Sequence, residues 1–89
     1  MPYIERNRRE VLDPLMKELA EEIGSVGELN YTITRLLHAH LLASGVSYST
    51  YNELVGVLEC AKMELYRRLV SKYEEQKILA NGDVHPTRD

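Results

Sequence analysis

The sequence predicts an all-α protein, and three observations carry that prediction. Apolar residues recur at helical spacing from Leu12 to Ile78, two Ser/Thr-x-x-Glu boxes stand where helices would start, and glycines stand where they would stop. With 89 residues, 44% hydrophobic and 28% charged, the chain is expected to form one helical domain over 1–82, with helices at about 14–23, 26–43 and 51–80 and a loose tail over 83–89. A protomer this small buries only about 60–65% of the surface its unfolded chain exposes, so a helical-bundle homo-oligomer built on a long C-terminal helix is expected.

The first helix is expected to open at Asp13-Pro14, since aspartate suits the N-cap and proline the first helical position. Leu12, Leu15, Met16, Leu19 and Ile23 follow as one narrow apolar face, and Gly24 ends the run. Ser25-Val-Gly-Glu28 has capping-box spacing and opens the second helix, with Val26, Leu29, Ile33, Leu36, Leu37 and Leu41 on its apolar face and Gly45 beyond its end. Thr50-Tyr-Asn-Glu53 repeats that spacing at the head of a third helix, and Asn81-Gly82 stops it. A helix over 51–80 would span about 45 Å, and a break is expected near Ser71.

Composition bounds the context. A single cysteine, Cys60, and no secretory pattern at the start imply a reducing cytoplasm. No stretch approaches the roughly 20 apolar residues of a membrane span. A formal net charge of −3 and a pI of about 5.6 argue against nucleic acid as a partner, because the arginines at 6, 8, 9, 67 and 68 have acidic neighbours. All six aromatics are tyrosines, which suit boundaries between apolar surface and water.

Placing residues about 100° apart on the third helix puts Leu54, Leu58, Ala61, Leu65 and Leu69 on one stripe and Val55, Met63, Tyr66, Val70 and Tyr73 on the next. Together they cover roughly 200°, twice what a surface helix of a small monomer needs, so a second copy of the chain is the expected partner. Glu59 and Lys62 fall inside this arc, three residues apart, and are expected to pair and to be hidden from water at an oligomer seam. Tyr66 flanks them. On the second helix His40 lies in the apolar stripe and Asn30 at its edge, the histidine within a long glutamate's reach of the level of Glu59. These five residues are the candidate interface or functional set, and no small-molecule ligand is implied by them.

The segments GELNYTIT (27–34), LECAKMELYRR (58–68) and YEEQKILANGDV (73–84) resemble a family of short, all-helical microbial and phage proteins of unknown function. A fainter likeness is to the all-α nucleotide pyrophosphohydrolases of the MazG type. That likeness implies magnesium held by a Glu-x-x-Glu on one helix and a Glu-x-x-Asp on the next. Glu18 and Glu21 match the first motif, while Glu28 stands at the last position of the second, which carries Ser25 three residues earlier. Two functions therefore follow from the sequence. One is a non-catalytic homo-oligomeric interaction module, with no cofactor; the alternative is a magnesium-dependent nucleotide pyrophosphohydrolase-like enzyme using Glu18, Glu21 and Glu28.

Overall fold

A computed structural model describes residues 2–85. All regular structure among them is helical: α1 (Arg6–Glu22), α2 (Val26–Ser44), α3 (Tyr48–Leu65), a π-helical turn (Tyr66–Val70) and α4 (Ser71–Asn81). The chain divides into two compact units, Met1–Val57 and Leu58–Asp89, so the division falls inside α3.

In the first unit, α1 begins eight residues before the expected Asp13-Pro14 start and carries Pro14 in its interior. The cause lies upstream, where Arg, Glu and Leu are good helix formers and the Glu5 carbonyl accepts from the amides of Arg8 (3.1 Å) and Arg9 (3.2 Å). Arg9 Nε also donates to the Ile4 carbonyl at 3.0 Å, tying down the residues that precede the helix. Local bonding at Glu5 thus overrides the proline signal. The helix ends at extended Ile23, whose amide donates to the Ala20 carbonyl at 3.3 Å, rather than on a left-handed Gly24.

The start of α2 follows its sequence signal. Ser25 Oγ accepts from the Glu28 amide at 3.1 Å, and Glu28 Oε1 accepts from the Gly24 amide at 2.7 Å, so two orphan donors are satisfied together. The helix ends one residue past the expected Ala43. Gly45 then takes φ 93°, a conformation that side chains disfavour, while its amide closes onto the Leu41 carbonyl at 2.9 Å.

The cap of α3 is Ser47, three residues before the Thr50 of the expected box. Ser47 Oγ accepts from the Thr50 amide at 3.1 Å and lies 3.0 Å from Thr50 Oγ1, and the Ser47 carbonyl accepts from Tyr51. Thr50, at 7% exposure, is the one buried side chain among the described residues. Its hydroxyl is satisfied by the cap, which is what permits the burial.

In the second unit, the expected break near Ser71 takes the form of the π-turn that ends at Val70. A π-turn takes up one extra residue, so positions after it rotate by about 100° relative to a straight wheel. Tyr73 therefore leaves the stripe that the straight wheel assigns to it. Asn81 closes α4, and Gly82 has φ 91° with its amide on the Ile78 carbonyl at 2.8 Å. Of the tail expected over 83–89, residues 86–89 lie outside the described residues. Asp83 is half-buried, and its Oδ1 accepts from the His85 amide at 2.9 Å in an Asx turn.

No apolar side chain among the described residues is buried. Ile23, Leu37, Leu41, Leu54, Val70 and Ile78 reach only half-burial. Nor is any helix among the described residues long and apolar enough to cross a membrane.

Pro14 supplies a test of how α1 holds together. It has no N–H for the Glu10 carbonyl, and its ring crowds that oxygen. Pro14→Ala should raise helicity by circular dichroism and raise the melting temperature, with a stabilisation of up to about 3 kcal/mol.

Candidate functional site

Glu59 and Lys62 pair as the spacing predicts, with Lys62 Nζ 3.0 Å from Glu59 Oε1. Their burial is corrected: the side chains are 57% and 70% exposed, Glu59 and Lys62 respectively. An i, i+3 pair satisfies both charges along its own helix, so it needs no shelter, and in this exposed state it is worth only ~0–1 kcal/mol. One helical turn further on, Arg67 Nη2 meets Glu64 Oε1 at 2.9 Å, with Glu64 the more sheltered partner. The charges along this stretch of helix are thus engaged locally, and apolar side chains lie exposed between them: Val55, Leu58, Met63, Leu65, Tyr66 and Leu69.

Tyr66 has a partner that sequence reasoning does not find. Its hydroxyl donates to Glu74 Oε1 across the π-turn. In a straight α-helix, residues eight apart sit about 80° apart around the axis. With one residue taken up by the π-turn they separate like i and i+7, about 20° apart, on one face. The carboxylate holds the phenol proton and opposes the phenolate charge, so the Tyr66 pKa is raised above the ordinary 10.0, by the hydrogen bond first and the charge second. Three residues beyond Glu74, the Lys77 ammonium lies 5.5 Å from the Tyr73 ring centroid, a cation–π contact.

In the first unit His40 is exposed, and its Nε2 lies 3.2 Å from Ser44 Oγ one turn along α2. The same ring lines a cleft of about 230 Å³ with Leu36, Leu37, Leu54 and Val57, between α2 and α3. Asn30 is an exposed residue of α2. Thr34 Oγ1 donates to its carbonyl at 2.8 Å and lies 3.4 Å from its Oδ1. His40 and Asn30 belong to the first unit, and Glu59, Lys62 and Tyr66 to the second.

The three acids expected to hold magnesium are not brought together. Glu18 and Glu21 are exposed along α1, whereas Glu28 Oε1 is committed to the Gly24 amide. Among the described residues no three His, Cys, Asp or Glu side chains are grouped to hold a metal ion. The capping role of Glu28 is legible in the Ser25-x-x-Glu28 spacing, and it competes directly with a role as ligand. Cys60 is an exposed free thiol.

Residues 1–84 match the family described as a domain of unknown function, DUF6899, and the chain belongs to that family. No curated protein and no solved structure matches it.

The Tyr66–Glu74 bond carries a titration signature. Because the folded-state pKa is raised, the bond's contribution to stability is complete below the ordinary tyrosine value and is lost as pH rises through the folded-state value. Glu74→Gln should move the Tyr66 titration down toward the ordinary value, read as the difference in tyrosinate absorbance between this variant and Glu74→Gln/Tyr66→Phe.

Proposed function

We propose that this member of the DUF6899 family is an interaction module that folds as a helical homo-oligomer, without catalysis of its own, and that completes its hydrophobic core only in the assembly. The observation that carries this reading is the absence of any buried apolar side chain among the described residues, beside 26 exposed large hydrophobic ones. Ordering a residue's backbone costs about 1–2 kcal/mol, and caps and surface ion pairs return only about 1 kcal/mol each. Apolar burial has to supply the difference.

The area available is of the right size. Full burial of an aliphatic side chain is worth ~1.5–3 kcal/mol at ~25 cal/mol per Å², so a half-exposed one offers on the order of 30–60 Å². Over 26 side chains this reaches roughly 1,000 Å² per protomer, the scale of an obligate interface. The arc on the third helix, with Leu58, Met63, Leu65 and Tyr66, is the seam we favour. Glu59 and Lys62 within it set register, since a charged pair at an apolar seam penalises misaligned packing. A lone exposed thiol at Cys60 fits a reducing cytoplasm.

Light scattering behind a sizing column is expected to give at least twice the 10.3 kDa chain mass at micromolar concentration. Leu65→Asp should lower the mass to that of one chain and reduce the helical signal with it, because the protomer has little stability of its own. A well-folded wild-type monomer would contradict the proposal.

A further inference from the structure

The cleft between α2 and α3 of the first unit is walled by Leu36, Leu37, Leu54 and Val57, with the His40 ring already engaged by Ser44. A site with so few polar groups holds water poorly, so an apolar side chain is its natural occupant.

Its own α1 does not fill it. Leu12, Leu15, Met16 and Leu19 of α1 are 39–60% exposed. The turn joining α1 to α2 is held by three hydrogen bonds: Ile23 to the Ala20 carbonyl, Gly24 to Glu28 Oε1, and Glu28 to Ser25 Oγ. Swinging α1 inward would break this network. Yet α1 has the stripe that suits the cleft. From Leu12 to Leu19 the charged neighbours Asp13, Lys17 and Glu18 lie about 110° or more around the helix from the stripe. The later part of α3 carries Glu59 and Lys62 within its apolar arc, and sealing them in an aliphatic cleft would cost the desolvation of an ion pair. In α4 only Ile78 and Leu79 are large aliphatics, among Lys72, Glu74, Glu75 and Lys77.

Resting on the self-assembly proposed for the chain, we infer that the cleft between α2 and α3 receives the apolar stripe of α1 from a second copy. The exchange is reciprocal across a two-fold axis, so each copy gives one helix and receives one. It brings Leu15, Met16 and Leu19 of one copy onto Leu36, Leu54 and Val57 of the other, covering the two apolar surfaces that the first unit leaves open.

Single-cysteine chains in a Cys60→Ser background test this arrangement. One chain carries Met16→Cys and one tag, the other Val57→Cys and a different tag; the two are unfolded together, refolded and oxidised. A disulfide needs Cβ atoms within about 4.5 Å, so a mixed-tag dimer on a non-reducing gel reports α1 of one copy against the cleft of the other. We expect that dimer, and expect none when Met16→Cys is paired with Leu79→Cys. Leu15→Cys with Leu36→Cys repeats the test if either first variant loses helicity. An oligomer by light scattering that gives neither cleft cross-link overturns the helix exchange and leaves self-assembly standing. A monomer overturns both. A chain carrying both Met16→Cys and Val57→Cys that closes on itself as a monomer shows that α1 fills its own cleft, and also overturns the exchange.

Discussion

Every helix of this protein has an apolar face, and none of those faces is buried among the described residues of its own chain. That constraint governs the rest. Secondary structure is held by local bonds: the Ser25 and Ser47 caps, the two positive-φ glycines, and the i, i+3 ion pairs at Glu59–Lys62 and Glu64–Arg67. Each is worth about 1 kcal/mol or less, and together they specify where helices begin and end. They do not supply the free energy of a folded domain. The side chains able to do so, from Leu12 to Leu69, are turned outward, and a second copy of the chain is the partner whose apolar surface matches in amount.

Much of the fold is legible in the sequence because the signals are local. Ser25-x-x-Glu28 marks the start of α2 by chemistry complete within four residues. Gly45 and Gly82 mark ends where only glycine takes the required φ cheaply. The start of α1 is less legible because two local signals compete there. Asp13-Pro14 reads as a cap, but helix formers upstream and the bonding at Glu5 and Arg9 extend the helix past it. At the head of α3 the Thr50-x-x-Glu53 box hides an earlier cap, because Ser47-x-x-Thr50 has a threonine where the usual glutamate stands.

The candidate site was legible in its members and less so in their surroundings. The pairing of Glu59 with Lys62 follows from spacing alone. Their exposure does not, since burial depends on what covers a helix. Tyr66 and Glu74 meet only because the π-turn re-phases the helix, and a wheel drawn at a fixed angle per residue cannot show that. For Glu18, Glu21 and Glu28 the order of motifs suggested a cluster, whereas the capping geometry of Glu28 directs its carboxylate to the Gly24 amide. A box residue already satisfied by backbone is a poor candidate for any second role.

If the hydrophobic core forms only between copies, folding and association are one equilibrium. The most direct test is the thermal midpoint of the full-length protein, followed by circular dichroism over a wide range of protein concentration. Mass action requires the midpoint to rise as concentration rises, because unfolding then releases more than one chain. A midpoint that stays fixed across that range, with a single cooperative transition, would show a chain that stabilises itself alone and would contradict the account.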